Sequence, residues 1–100
     1  MYFLIAAADK PGMLEQRIAH RQAHLDYWNG LAGTVKVAGA MLTGDDSDAT
    51  PKGSAFIIEA ESLAAARALL AADPFTVQGI FGDDIRIEVM RPAIGDWFPA

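Results

Sequence analysis

Two arginines, a histidine and a tryptophan recur along one side of the first long helical segment. Arg17, Arg21, His24 and Trp28 are spaced by three or four residues, which places them on one stripe of an α-helix. Guanidinium groups bind anionic oxygens, and imidazole transfers protons near neutral pH. The stripe is therefore typical of a cleft that binds a small anion and moves a proton. The alternative is a solvated helix border with a surface histidine, and the residue pattern alone favours it.

The Asp73-Pro74 pair has two interpretations. Aspartate followed by proline can start a short helix, with the carboxylate as its N-cap. A carboxylate near His24 would instead hold the imidazole in one tautomer and stabilise its protonated form. The sequence does not show that the two side chains meet, although a fold with both helices on one face allows it.

His20 and His24 have the spacing of a metal-ligand pair on a helix. Arg21, however, occupies the position at which zinc proteases with such a pair carry their glutamate base. The chain has no cysteine and no third histidine, so we expect no metal here. The acidic segment 46–50 resembles a calcium loop only in part, because other residues hold the positions of its glycine and glutamate. No motif for a cofactor is present, and we expect none.

The hydropathy pattern predicts the elements that must position these residues. Apolar or alternating runs indicate strands, and a period near 3.6 without Pro or Gly indicates helices. The predicted order is a strand at 2–8, a helix at 13–31, strands at 34–38 and 54–60, a helix at 63–72 and a strand at 84–90. Ser62 is the predicted N-cap of the second helix. A polar loop at 43–53, a short helical turn from Pro74 and a tail at 91–100 complete the chain.

This order predicts an α+β, ferredoxin-like βαββαβ fold. Its four-stranded antiparallel sheet carries two helices on one face and leaves the other face open. We expect the core side of the first helix to consist of Leu14, Ile18, Leu25 and Ala32. The apolar first strand, with Trp97 and Phe98 in the tail, predicts a second subunit on the open face or edge. A tail that folds over its own sheet is the alternative.

Composition limits the classes of function. The chain has 100 residues, of which 52% are hydrophobic and 21% charged, and we expect a single domain over 1–100. A formal net charge of −5 argues against nucleic acid and anionic membranes as partners. We find no membrane span or signal peptide in the sequence. The lack of cysteine is compatible with a reducing compartment, and we expect a cytoplasmic protein.

Short motifs in order along the chain resemble the YCII-related (YciI-like) family. They are Asp9-Lys10-Pro11-Gly12, Arg17, Arg21-Gln22-Ala23-His24-Leu25, Gly39, Gly53-Ser54, Ala60-Glu61-Ser62-Leu63, Asp73-Pro74-Phe75 and Gly79-Ile80-Phe81. No single motif is specific, but the ordered set is, above all R-x-x-H-L with D-P-F/Y. Two positions depart from the family: Ala40 follows Gly39 where proline is common, and Phe75 replaces a frequent tyrosine.

The resemblance implies a ferredoxin-like subunit that pairs through its sheet as a dimeric α+β barrel. It also implies an active site built on a His–Asp pair. At the matching positions this pair would be His24 and Asp73, with Ser54 and Arg21 as neighbours in the cleft.

Two classes of function follow from the residues and the resemblance. In a cofactor-independent enzyme, His24 would move a proton with the help of Asp73. Arg21, together with Arg17, would hold an anionic oxygen, and Trp28 or Phe75 would form an apolar wall. Relatives in this superfamily that act on small ring compounds suggest elimination or isomerisation, hence a lyase or isomerase. The alternative is a non-catalytic domain that binds a small molecule or serves as an accessory module. A domain that only dimerises would have no cleft at His24.

Overall fold

A computed structural model describes residues 1–96 as a four-stranded antiparallel sheet with helices on one face. The elements are β1 Tyr2–Asp9, α1 Leu14–Asn29, β2 Val35–Leu42, β3 Pro51–Glu59, α2 Leu63–Ala71, α3 Pro74–Val77 and β4 Phe81–Met90. The strand order is β2-β3-β1-β4, and the predicted ferredoxin-like fold is confirmed. No helix in this part of the chain has the length and apolarity to cross a membrane. Trp97 and Phe98, which we interpreted as tail aromatics, lie outside the described residues.

The core lies between the sheet and the helices. Successive side chains of a strand point to opposite faces of its sheet, and the central strands β1 and β3 follow this rule closely. Phe3 and Ile5 of β1 are opposite Ile58 and Phe56 of β3, and none of the four is more than 2% exposed. Leu4, between the two buried residues of β1, is 38% exposed on the open face.

The strands extend further than the hydropathy pattern predicts. β2 continues to Leu42, β3 begins at Pro51 and β4 begins at Phe81. Their ends are stabilised by antiparallel pairing, as between Leu42 and Pro51, which hydropathy does not reveal. The predicted loop 43–53 is consequently shorter, and Thr43 N–H donates to the Thr50 carbonyl across its base at 2.9 Å.

Both predicted N-caps are confirmed. The Ser62 hydroxyl accepts a hydrogen bond from Ala65 N–H at 3.1 Å at the start of α2. The Asp73 carboxylate accepts one from Phe75 N–H at 2.9 Å, with Pro74 at the first position of α3. Because α3 packs against α1, this second cap brings a buried carboxylate next to the first helix.

The inward side of α1 differs from the predicted one. Leu14 and Ile18 are 37% and 66% exposed, Leu25 is half-buried, and Ala32 is exposed beyond the end of the helix. The residues of α1 that are buried are Arg17, His24 and Trp28. The prediction was wrong because it placed the most apolar stripe inward. Polar groups can be buried where neighbouring elements supply hydrogen-bond partners, and here β1, β3 and α3 do so.

Candidate active site

The central contact of the candidate site joins His24 of α1 to Asp73 at the start of α3. His24 Nδ1 lies 2.8 Å from Asp73 Oδ1 and 2.9 Å from Oδ2. Asp73 is fully buried and His24 is 8% exposed. Asp73 is therefore both the N-cap of α3 and the partner of His24, so the two interpretations of this residue are compatible.

Asp73 also accepts hydrogen bonds from two neutral donors. Trp28 Nε1–H donates to Oδ2 at 2.7 Å, and Phe75 N–H donates to Oδ1 at 2.9 Å. These N–H groups point at both carboxylate oxygens, which is the arrangement that an ionised, acceptor-only carboxylate requires. Nδ1 of His24 therefore carries a hydrogen, and in the neutral imidazole Nε2 holds the lone pair.

Nε2 of His24 is not fully buried. Within residues 1–96, no fully buried side-chain nitrogen or oxygen lacks a hydrogen-bond partner. The hydrogen bonds of His24 to described residues all go through Nδ1. Nε2, which has no partner there, is therefore not fully buried. A base whose reactive atom is accessible while its other nitrogen is fixed can take a proton from a bound molecule.

A second polar cluster joins Arg17 of α1 to Asp9 at the end of β1 and Ser54 of β3. Arg17 Nε and Nη2 donate to the two Asp9 oxygens at 2.7 and 3.1 Å. Nη2 also donates to Ser54 Oγ at 2.7 Å. The Arg17 and Asp9 side chains are only 7% and 6% exposed. Nη1 of Arg17 has no partner among the described residues and is not fully buried, so it can bind an anionic oxygen.

Asp9 is the member of this cluster that the residue-by-residue analysis did not single out. It was interpreted as part of the turn after the first strand, although it also belongs to the family motif. The available signal was an acidic residue directly after the buried run of β1. In the structure it ends that strand, where the pairing with β4 shifts register between Ala7 and Asp9.

The Phe75 ring connects the two clusters. Its centroid lies 4.0 Å from that of His24, with 7° between the planes, and 4.6 Å from Arg17 Cζ. Arg17 and His24 are seven residues apart, about 10.5 Å along a helix, which leaves room for one ring between them. Phe75 therefore packs against both the imidazole of His24 and the guanidinium of Arg17.

The other predicted site residues occupy different surroundings. Arg21 is exposed, and within residues 1–96 its side chain makes no hydrogen bond or ion pair. Trp28 is 5% exposed and its N–H is bonded to Asp73, so it presents little surface to a ligand. The structure therefore brings together His24, Asp73, Trp28, Arg17 and Ser54, but not Arg21.

Tyr27, which lies near Asp73, makes the free energy of unfolding depend on pH. Its hydroxyl donates to the Leu69 carbonyl at 2.6 Å. Burial, and secondly the charge of Asp73, raise the pKa of Tyr27 above its usual 10.0. The folded protein then keeps this proton at pH values where the unfolded chain loses it. The contribution of Tyr27 to the free energy of unfolding is complete below pH 10 and is lost as the pH rises through the pKa of Tyr27 in the folded protein.

We therefore expect the free energy of unfolding to fall more steeply above pH 10 in the wild type than in Tyr27→Phe. Urea unfolding over this range measures the two slopes. Below pH 9, where tyrosine is protonated in both states, the slopes should agree. Identical slopes above pH 10 would show that Tyr27 does not contribute.

Comparison with known proteins assigns the chain to a family. The sequence model of the YCII-related domain matches residues 1–90. The chain belongs to the YCII-related family. Within this family, the YciI protein of Escherichia coli is 40% identical over 86 residues, which cover 81% of this chain and 88% of that protein. A Haemophilus influenzae protein is 37% identical over 90 residues, covering 85% of this chain and 92% of its own.

Among solved structures, the YCII-related chain is similar to an enzyme of the same fold. The dehydrochlorinase TftG of Burkholderia phenoliruptrix is 36% identical, with a TM-score of 0.81 and coverage of 93% of this chain and 96% of TftG. TftG acts on 5-chloro-2-hydroxyhydroquinone, and its structure is a complex with 2,5-dihydroxybenzoquinone. An antibiotic biosynthesis monooxygenase shares the fold at 17% identity, with a TM-score of 0.52 and coverage of 94% and 100%.

Proposed function

We propose that this protein is a cofactor-independent acid–base enzyme in which His24 is the catalytic base and Asp73 its partner. The observation that carries the proposal is the fixed Nδ1 of His24, which contacts both Asp73 oxygens at 2.8 and 2.9 Å, combined with an Nε2 that is not fully buried. General acid–base catalysis needs a base that reaches its substrate in the correct tautomer.

In an elimination, Nε2 takes a proton from the substrate and the electron pair of the broken bond forms a new double bond. The leaving group departs with the electrons of its own bond to carbon. Asp73 stabilises the imidazolium that forms, without taking its proton. In an isomerisation, Nε2 instead returns the proton to a different atom of the same molecule.

Arg17 is the proposed binding group for an anionic oxygen of the substrate, and the buried Ser54, whose Oγ accepts from Arg17 Nη2, helps to position it. Arg17 is held by Asp9 through two hydrogen bonds, so its guanidinium is preoriented and keeps Nη1 for a ligand. A preoriented cation stabilises charge that develops on an oxygen during proton removal. We infer that a small ring compound contacts both Nη1 and Nε2, since Phe75 packs against the imidazole and the guanidinium and so keeps them in one region.

The substrate class we propose is a small hydroxylated ring compound that carries a leaving group. Support comes from TftG, which is a dehydrochlorinase of the same fold at 36% identity. The guanidinium cation of Arg17, which can bind an anionic oxygen, and the proton acceptor Nε2 of His24 suit an ionised phenol or enol. Elimination of hydrogen chloride is one reaction of this kind and requires no redox cofactor.

The test is a panel of hydroxylated rings with and without chlorine, beginning with 5-chloro-2-hydroxyhydroquinone, the TftG substrate. Chloride release and the ultraviolet spectrum measure turnover, and calorimetry with 2,5-dihydroxybenzoquinone measures binding. Turnover by the wild type that is lost in His24→Asn supports the enzyme. Binding without turnover across the panel would favour the alternative, a non-catalytic small-molecule-binding or accessory domain.

We further propose that two copies of the chain pair through the open faces of their sheets. This face carries Leu4, Val37 and Ile57, which line a shallow depression of about 340 Å³. The charged pair Arg86–Glu88 of β4 stands opposite Ala6 and Leu4 at the sheet edge. An apolar centre with a polar rim suits a symmetric interface.

Ile57→Glu is expected to convert the protein from a dimer to a monomer, because it introduces a charge at the centre of this face. Sedimentation equilibrium measures the mass. Val77→Glu, on the exposed side of α3, is the matched control and should remain dimeric. A monomeric wild type at high concentration would exclude the dimer.

A further inference from the structure

We propose that Trp28 is a positioning residue for the His24–Asp73 pair. The indole N–H of Trp28 fixes the Asp73 carboxylate and weakens the attraction between this carboxylate and a protonated His24. The catalytic meaning of this inference rests on the proposed function, but the contact itself can be tested without a substrate. Trp28 would then act through Asp73 rather than form an apolar wall of the cleft.

The hydrogen bonds of Asp73 are distributed over both oxygens. Oδ1 accepts from Phe75 N–H at 2.9 Å and contacts His24 Nδ1 at 2.8 Å. Oδ2 accepts from Trp28 Nε1–H at 2.7 Å and contacts His24 Nδ1 at 2.9 Å. Trp28 and the Phe75 backbone therefore anchor one oxygen each, and His24 lies almost equally far from the two. This symmetry orients the imidazole relative to the carboxylate.

The indole itself has little freedom to turn away. Trp28 is 5% exposed, its ring lies 4.9 Å from that of Phe56, and the Tyr27 ring meets it edge-on at 5.0 Å. Trp28 follows His24 by four residues on α1, which places both side chains on one stripe of the helix. A buried indole N–H requires an acceptor, and Asp73 supplies it.

A neutral donor on a carboxylate disperses part of its negative charge. Asp73 then attracts a protonated His24 less strongly than it would without Trp28. Removal of the indole N–H should therefore favour the imidazolium form, and His24 should take up a proton at higher pH.

The other charged or titratable groups near the pair are the same in the two proteins of the main comparison, which differ only at Trp28. Tyr27 interacts with the charge of Asp73, and its raised pKa keeps it neutral below pH 9. Arg17 lies across the Phe75 ring from His24 and is paired with Asp9. His20, one turn before His24 on α1, is removed in a His20→Gln background. Differences between variants thus report on Trp28.

The first measurement uses the folded protein without altering Trp28. The chain contains two tryptophans and two histidines, so Trp97→Phe and His20→Gln assign the Trp28 indole N–H and the His24 imidazole resonances by NMR. A pH titration should move both resonances with a common midpoint. A Trp28 resonance that does not follow the titration of His24 would overturn the inference.

The second measurement compares Trp28→Phe with the wild type. Phenylalanine keeps an aromatic ring in the core but lacks the N–H. We expect the midpoint of the His24 titration to rise by about half a pH unit, a fraction of what a hydrogen bond to a charged group contributes. Tyr27→Phe, which removes a hydrogen bond on the neighbouring residue, should leave the midpoint unchanged. An unchanged or lower midpoint in Trp28→Phe, or equal shifts in both variants, would overturn the inference.

Failure of this inference and failure of the proposed function give different results. If both NMR results are as expected but no compound is turned over, Trp28 positions Asp73 in a protein that is not an enzyme. If His24→Asn abolishes turnover while Trp28→Phe leaves the His24 titration unchanged, the enzyme stands and the role of Trp28 is refuted. If Trp28→Phe does not fold, the coupled titration in the wild type decides.

Discussion

Asp73→Asn is expected to lower turnover of the proposed ring substrates by roughly 10²- to 10⁴-fold, the usual contribution of general acid–base catalysis. The asparagine carbonyl can still cap α3 by accepting the Phe75 N–H, but Trp28 Nε1–H then loses its acceptor, because asparagine has one oxygen where aspartate has two. Its amide, however, donates hydrogen bonds, so His24 Nδ1 becomes an acceptor and the imidazole hydrogen moves to Nε2. His24 then holds the wrong tautomer for a base, and it has no anion to stabilise its protonated form.

Initial rates and circular dichroism measure turnover and folding of the variant. Ser62→Ala is the matched control for the capping role, because Ser62 caps α2 by the same kind of bond. It should cost about 1 kcal/mol of stability and leave turnover unchanged. If Asp73→Asn retained activity within a few-fold of the wild type, the catalytic role of the pair would be wrong and Asp73 would be only a helix cap.

Arg17→Met is expected to lower the free energy of unfolding by about 3–5 kcal/mol, the cost of breaking a buried ion pair by removing one partner. The change leaves the Asp9 carboxylate at 6% exposure without its cation. It also removes the donor to Ser54 Oγ. The double variant Asp9→Asn with Arg17→Met should be more stable than the sum of the two single changes implies.

Urea unfolding measures these stabilities, and an exposed ion pair of the same protein is the control. Lys36 Nζ lies 3.2 Å from Glu59 Oε1, with side chains 28% and 46% exposed. Lys36→Met should cost at most about 1 kcal/mol, and high salt should reduce that cost further. If Arg17→Met were no more destabilising than Lys36→Met, the Arg17–Asp9 pair would not be a buried structural element.

Local signals in the sequence were sufficient to predict the elements and their caps. The apolar run at 2–8, the alternation at 84–90, Ser62 before an Ala-rich helix and Asp73 before Pro74 all act over a few residues. Each of these features is decided by backbone hydrogen bonding and by burial of one face of an element. The ferredoxin-like order followed from the sequence of elements alone.

The inward face of α1 shows where this reasoning fails. Hydropathy placed Leu14 and Ile18 in the core, yet Ile18 is 66% exposed and Arg17 is buried. The free energy of burying a guanidinium depends on its partners, and those partners come from β1 and β3. A pattern within one helix carries no information on what the neighbouring strands offer.

The sequence by itself determined the type of fold, the position of the helix caps and the identity of two residues, His24 and Asp73, that the resemblance singled out. Only the tertiary structure decided that these two meet, that Trp28 shares the same carboxylate and that Asp9 holds Arg17. Secondary structure depends on neighbours in the chain, whereas a hydrogen bond between residues 24 and 73 depends on how α1 and α3 pack. The site is therefore a property of that packing, and Arg21, which shares the stripe but not the packing, stays outside it.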